Sequence, residues 1–422
     1  MHIELINTGR ELLLGRVLNT LQLWICRQLA DLGYDVNRQA CVADDGPQIQ
    51  AAVRESLSRS DLVITTGGLG PTSDDLTRDW IARLLGRPLA PDPETLGRIE
   101  RLFIQRRRVM PASAKIQAMV PAGARVLRND HGTAPGLAIE VRPNPFRAEG
   151  RPSWLVLLPG PPRELRPMFT QSVIPLLLSE FPSTEKFVCC ILKTTGLGES
   201  LVEEKIAGPL QKLVQDGLDL GYCARIGEVE VRLGARGGRA EKIVNEAEGI
   251  VRGLLGRLIF AAGDSSLEAV VVGALTEQGK TVALAESCTG GLIAHRLTNV
   301  PGASVVLKCG LVTYSNEAKT DLLGVQAITL SQHGAVSEPV AREMAQGARR
   351  RCGADYGLSV TGIAGPGGGS EGKPIGTVFM ALADEAGTTV ERHFNPYDRE
   401  TFKFAASQQA LDLLRRALLP FP

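Results

Sequence analysis

The sequence predicts an α/β protein of several domains, and three observations carry that reading. Apolar, β-branched runs at 3–6, 61–66, 154–158 and 281–285 each lead through a turn into a helical stretch, the rhythm of parallel strands covered by helices on both faces. The 422-residue length suits roughly three domains. Between them, residues 228–233 alternate strictly between charged and apolar, as a half-exposed strand does. The expected division is 1–168, a parallel-sheet domain; 169–261, a small α+β module; and 262–422, a second α/β domain.

The elements follow in order. The first domain opens with a strand at 3–6 and a helix at 17–32. The strand at 61–66 runs onto Gly67-Gly68-Leu69-Gly70-Pro71 before a helix at 74–85, and the strand at 154–158 ends at Pro159-Gly160-Pro161-Pro162. The middle module has its strand at 228–233 and a helix at 239–255. Gly263-Asp264-Ser265-Ser266 is a turn and cap that sets the next boundary near 262. The last domain is read as helix 267–278, strand 281–285, helix 290–299, strand 305–314, helix 317–323, helix 339–352, strands 356–361 and 376–383, and a closing helix 399–418.

Composition narrows the function classes. Hydrophobic residues make up 44% and charged residues 22% of the chain, with Lys+Arg 47 against Asp+Glu 46. A net charge of +1 gives no steering toward nucleic acid or an anionic membrane. The runs Arg106-Arg107-Arg108 and Arg349-Arg350-Arg351 read as solvated helix faces. The eight cysteines form no C-x-x-C pair and no zinc spacing. They read as scattered reduced thiols of a cytoplasmic protein, with Cys288 a small packing residue. The first six residues read as a strand rather than a signal peptide, and no apolar run is long enough to span a bilayer.

Strand ends carry the candidate sites, because open α/β sheets bind ligands there. In the first domain, Gly67, Gly68, Gly70 and Thr72 lie in a loop whose backbone N–H groups suit phosphate oxygens. Asp74 and Asp75 follow, either as ligands of a divalent cation or as caps of the next helix. Gly132 and Thr133 form a second turn. Gly160 and Arg163 lie in a third, where Arg163 suits a phosphate and the prolines suit a helix start. In the last domain, Ser287 sits in Ala285-Glu286-Ser287-Cys288-Thr289-Gly290-Gly291, and Lys319 lies 32 residues on in Val312-Thr313-Tyr314-Ser315-Asn316-Glu317-Ala318-Lys319. A serine on a glycine-rich turn with a lysine at another strand end is the material of a Ser–Lys amidohydrolase, provided burial lowers the lysine pKa. Taken singly, each also has a plain role: a cap, a surface lysine, a floppy glycine tip at 367–369.

Taken together, the strings AESCTGG, VTYSNEAK, HGAVSEPV, GIAGPGGGSEGKPIGTV, TGGLGPTSDDLTRD, GTAPG, LPGPPREL and GEVEVRL resemble the bacterial CinA family nearly end to end. The resemblance implies a molybdopterin-binding-like N-terminal domain, a KH-like middle module and a C-terminal amidase domain. It implies two activities: deamidation of nicotinamide mononucleotide, without a cofactor, and hydrolysis of ADP-ribose with a divalent cation such as magnesium, plus potassium. Ser287, Lys319 and Tyr314 fall on the family's catalytic residues. Thr289, Gly290, Gly291, Asn316, Gly362, Ala364 and Arg399 fall on its substrate-binding stretch. Backbone N–H groups at 289–291 are expected to hold the oxyanion, with Tyr314 relaying a proton. Pyridine and adenine nucleotides are the expected partners of a homodimer, with no membrane and no direct nucleic acid.

The chain departs from the family pattern at Arg10, Leu21, Tyr397 and Lys403, and it lacks a ligand-facing family asparagine near Pro111–Gln117, where Ser113 and Ala114 stand. Arg10 is expected to place a fixed positive charge beside Asp74 and Asp75 and so weaken metal-dependent hydrolysis. The alternative function is an interaction protein of competence or DNA repair, or a nucleotide-binding regulator.

Overall fold

The computed structural model describes residues 1–182 and 185–419. Residue contacts divide the chain into two compact units, Met1–Phe187 and the remainder from Val188.

The first unit is built on a six-stranded sheet. Its strands are β1 (Ile3–Thr8), β2 (Val36–Val42), β3 (Leu62–Thr66), β6 (Arg125–Leu127), β7 (Gly136–Val141) and β8 (Ser153–Leu158), with β4 (Leu89–Pro91) and β5 (Met119–Pro121) forming a separate ribbon. The order is β2-β1-β3-β8-β7-β6. The first four strands are parallel, and β7 and β6 are antiparallel. The sheet is therefore mixed where the sequence suggests a purely parallel one. β1, β3 and β8 are buried along their whole length, which explains why they read as continuous apolar runs while half-exposed β2 and short β6 do not. The helix expected at 17–32 spans Thr20–Asp31, capped by Asn19, whose side chain accepts from Gln22 N. Leu21 packs into the core.

The expected boundary after 168 falls inside a helical segment. Pro162–Met168 continues through a π turn at Phe169–Val173 into Ile174–Glu180. Phe169 and Val173 are buried in the same core as β1, β3 and β8, and this packing carries the helix on.

The second unit holds two sheets. The first runs β10-β11-β9-β12, from β9 (Phe187–Thr195), β10 (Asp219–Arg225), β11 (Glu228–Arg236) and β12 (Ile259–Ala262). The alternation read at 228–233 appears as alternating half-buried and buried positions on β11. The second sheet runs β14-β13-β15-β16-β17. It comprises β13 (Val282–Glu286), β14 (Leu307–Val312), β15 (Tyr356–Gly362), β16 (Thr377–Ala383) and β17 (Thr388–Phe394). β14, β13 and β15 are parallel, and β16 and β17 return antiparallel. The closing helix Arg399–Leu418 packs its buried side against the core beneath β13 and β15.

One cysteine expectation is overturned. Cys309 on β14 and Cys352 at the end of helix Glu338–Cys352 form a disulfide across 43 residues. The helix ends against the edge strand, so two cysteines remote in sequence meet; the spacing alone gives no sign of it. Among the described residues no helix is long and apolar enough to cross a membrane.

Candidate functional sites

In the second unit the register of the sheet assembles the site. Glu286 pairs with Val312 on one side and Val360 on the other, so the residues just beyond them share one edge. Ser287 N donates to Val360 O at 2.9 Å, and Thr313 N donates to Glu286 O at 2.8 Å. The serine and the main chain leading to the lysine are thereby fixed to adjacent parallel strands. Ser315 caps helix Asn316–Leu323 through its side chain, and one turn later Lys319 reaches back beneath the same loop.

Lys319 is 1% exposed and Ser287 9%. Lys319 Nζ lies 3.1 Å from Ser287 Oγ, 2.8 Å from Thr313 O and 3.3 Å from Tyr314 O. A neutral amine has two N–H donors and one lone pair. The two nearest carbonyls take the donors, with Ser315 O farther off at 3.5 Å, and the lone pair of the neutral amine is left for the serine hydroxyl. Burial pushes the lysine pKa down from its ordinary value, in the direction the neutral form requires. Cys288, next door, is buried and its thiol is pushed up to about 12, chiefly by that burial. It is a packing residue, as the sequence suggests, and not a thiolate.

The turn after Ser287 works differently from expectation. Gly290 and Gly291 take φ +62 and +93, a left-handed turn that favours glycine. Their N–H groups are already engaged: Gly290 N donates to Ser287 O, and Gly291 N donates to Glu286 Oε2. Glu286 also accepts from Ile293 N and Ala294 N. Its buried carboxylate thus closes the N-terminus of helix Leu292–Thr298. Among the described residues the amides of Cys288 and Thr289 are bonded to no oxygen; both lie against the Cys288 sulfur, where they oppose the effect of burial on its pKa. Thr289 is fully buried, and the hydroxyls of Thr289 and Thr313 have no protein partner. Sequence reasoning missed Glu286, although a glutamate at the end of an apolar strand is a signal for a buried cap.

Tyr314 is 62% exposed. Its hydroxyl accepts from Arg399 Nη2 at 2.7 Å, while its carbonyl, not its phenol, meets Lys319. The proton relay expected of Tyr314 is therefore not in place. The phenol belongs to the rim, because two residues beyond the end of β14 this side chain turns outward. Arg399 also donates to Gly365 O at 2.8 Å, joining Tyr314 to the glycine-rich loop that follows Gly362 and buried Ala364. Lys403, one turn further along the same helix, brings Nζ within 3.8 Å of where a Cβ on Gly290 would stand. Two cations thus flank the serine turn. Asn316 is exposed in the first turn of its helix.

In the first unit β1, β3 and β8 end together, and β7 begins at the same edge. The turns there enclose a cavity of about 370 Å³. Gly67, Gly68, Gly70, Thr133, Gly160, Asp74 and Asp75 line it, as expected from the sequence; Thr72, Gly132, Arg163 and Arg10 do not. A Cβ on Gly68, at φ +67, would stand 2.0 Å from Thr77 Oγ1, so the loop closes only with glycine. Thr72 acts inside its loop, donating from N and Oγ1 to Asp75 Oδ2. Asp74 is exposed, and its carboxyl is held below its ordinary value by a hydrogen bond from Thr72.

Two arginine expectations are corrected here. Arg163 is exposed, because helix Pro162–Met168 starts at Pro162 and turns Glu164 inward instead. Glu164 accepts from Asn129 Nδ2, and a Cβ on Gly132 would collide with it. Arg10 is exposed and gives its backbone N–H to Asp44, while its neighbour Glu11 lines the cavity. The lining carries the carboxylates Glu11, Asp44, Asp74, Asp75 and Glu164 and no lysine, arginine or histidine. Gln117 also lines it, with an unpartnered buried Oε1; it closes the stretch in which the family asparagine is missing. Hard oxygen donors of this kind suit a divalent cation. Among the described residues no three acidic, histidine or cysteine side chains converge to hold one alone. An ion here would be completed by water and ligand phosphates, as is usual for magnesium.

Three known protein families match successive parts of the chain. Residues 264–418 match the CinA C-terminal domain, residues 4–179 the probable molybdopterin binding domain, and residues 191–261 the KH domain of damage-inducible protein CinA. A CinA-like protein of Akkermansia muciniphila is 44% identical over 413 residues, covering 97% of this chain and 96% of its own. A putative competence-damage inducible protein of Symbiobacterium thermophilum is 44% identical over the full length of both. The crystal structure of competence/damage inducible protein CihA from Agrobacterium tumefaciens is 45% identical, covers 36% of this chain and 93% of that one, and has a TM-score of 0.34. With matches of this extent, the chain belongs to the CinA family of competence-damage inducible proteins.

Proposed function

We propose that the second unit is a nicotinamide mononucleotide deamidase working through Ser287 and Lys319. The observation that carries this is the buried lysine amine, 3.1 Å from the serine hydroxyl and held by three backbone carbonyls. Lys319 takes the serine proton as Oγ attacks the carboxamide carbon. The amides of Cys288 and Thr289 receive the developing oxyanion. Collapse breaks the carbon–nitrogen bond, and Lys319 returns the proton to the leaving ammonia. Water, deprotonated by the same amine, then hydrolyses the ester on Ser287 to nicotinate mononucleotide. Arg399 and Lys403 offer positive charge for the substrate phosphate.

The acidic cavity of the first unit supports a second reading, metal-dependent cleavage of the pyrophosphate of ADP-ribose. Asp74 and Gln117 are the groups best placed to share a divalent cation with that ligand. The cation would offset the charge that five carboxylates otherwise set against a phosphate. A role in gripping nucleic acid is less well supported. The nearest G-x-x-G candidate, 234–237, begins within β11, where Gly234 pairs with Asp219, and is not a free clamp.

The test is ammonia release from nicotinamide mononucleotide and AMP release from ADP-ribose, each with and without chelator. The expected result is deamidation indifferent to chelator and AMP formation abolished by it. No ammonia from the full chain under either condition would overturn the first reading.

A further inference from the structure

The arginines left over by both sites gather at one place in the first unit. Helix Pro93–Gln105 presents Arg98 and Arg101, and the segment 128–130 presents Arg128 and Asp130. Together with Asn129 they line a cleft of about 140 Å³, the volume of four to five water molecules at about 30 Å³ each. Three guanidinium groups face one carboxylate there, and that carboxylate is paired with Arg128 at 2.7 Å. Arg101 has no ion pair among the described residues. Two positive charges are thus uncompensated in a small concave space.

Arg98 is the half-buried member. It donates to Asn129 O, to Gly132 O at 3.0 Å and to Thr133 O at 3.2 Å. Burial is the main cause that lowers its pKa; Asp130 opposes that, while the neighbouring charges of Arg128 and Arg101 add to it. Arg106, the first of the triple-arginine run, adds a long bond to His131 O. The segment these side chains hold is the one that Asn129 pins from within, through His131 N, Gly132 N, Ala134 O and Glu164. Its far side, Thr133 and Ala134, forms a wall of the larger acidic cavity.

We propose that Arg98, Arg101 and Arg128 form a second binding site, for a phosphate-sized dianion, back to back with the acidic cavity. Planar guanidinium forks match the oxygens of a tetrahedral phosphate in geometry. A charge of minus two neutralises the excess. The bound anion bridges helix Pro93–Gln105 to segment 128–130, and so stiffens the wall that Thr133 and Ala134 present to the other cavity. The dianion is either free phosphate or the head of a phosphomonoester.

The experiment is calorimetric titration of the full-length protein with inorganic phosphate and, separately, with glycerol 3-phosphate, at constant ionic strength. Hydrogen exchange of residues 129–134 is followed alongside. We expect saturable binding of phosphate near about millimolar affinity, displaced by sulfate and not by chloride, with slower exchange across 129–134. Binding of glycerol 3-phosphate with similar affinity points to an organic phosphate; binding of phosphate alone points to the free ion. The double variant Arg101→Ala/Arg128→Ala alters exposed side chains that hold no backbone, and should weaken uptake at least about tenfold. Asp74→Asn should leave it unchanged. Absence of saturable uptake, uptake unaffected by the double variant, loss of uptake in Asp74→Asn, or unchanged exchange at 129–134 would each overturn the proposal.

Discussion

At the carboxyl end of β13 the reactive groups are buried and bonded to one another. At the carboxyl ends of β1, β3 and β8 the charged groups face an open cavity and are bonded mainly to their own loops. Ser287 and Lys319 stand ready in the folded chain, because the sheet register sets one and a capped helix the other. Asp75 is spent on Thr72 and Glu164 on Asn129, so the first site is a shaped container for a ligand that brings part of its own chemistry. Burial thus does for the lysine what an added cation would have to do for the acidic cavity.

The sharpest break in this comparison is Ser287→Ala, which should reduce ammonia release at least about a thousandfold while sparing AMP release. Lys319→Arg should fall nearly as far, since arginine does not give up its proton; near-normal turnover would end the general-base role. The same lysine predicts a pH signature. Its folded pKa is lowered from 10.5, so between the two values the unfolded chain holds the extra proton. Stability should rise with pH across that window, and deamidation should rise through the folded value. Lys319→Met should flatten the stability trend, measured as the urea midpoint against pH.

Next in size is the disulfide. Its 43-residue span encloses Tyr314 and Lys319. In the chain-entropy picture such a loop contributes up to about 4 kcal/mol. With reductant, or in Cys309→Ser, deamidation should be lost at lower urea than AMP release. Coincident loss of both would show that the loop does not set the stability of the amidase site.

Arg399→Ala should raise KM for the mononucleotide about ten- to a hundredfold, the scale of a lost charge-assisted contact. It should leave kcat nearly unchanged. A fall in kcat instead would bring the Arg399–Tyr314 pair into the chemistry. Smallest of all, Arg10→Ala should change ADP-ribose binding by less than about twofold, as exposed side chains do. A larger effect would place the guanidinium in the cavity.

The sequence made much of this legible, and the reasons differ by region. Strands buried on both faces announce themselves as apolar runs, so β1, β3, β8, β13 and β15 were found, whereas half-exposed β2 and β17 were not. Ser287 and Lys319 were recognisable because a motif and a resemblance pointed to them. What escaped was direction. Neighbours in sequence face opposite ways at a strand end or helix start, so Glu164 took the place expected of Arg163, and Glu11 that of Arg10. The inward turn of Gln117 and the Cys309–Cys352 pair are products of tertiary packing, whereas Glu286 had a local signal, its place at the end of an apolar strand, that went unread.

Glu286 has a consequence for which way round a substrate lies. A helix N-terminus behind a nucleophilic serine would ordinarily attract the most negative part of an incoming molecule. Here the chain has plugged that end with its own carboxylate. In the proposed deamidation the phosphate of the mononucleotide would be turned away from it, toward Arg399 and Lys403, and the pyridinium ring with its carboxamide would be left to approach Ser287. On that reading, a preference for a substrate that is anionic at one end and not at the other is set before any ligand arrives, by a carboxylate the protein already carries.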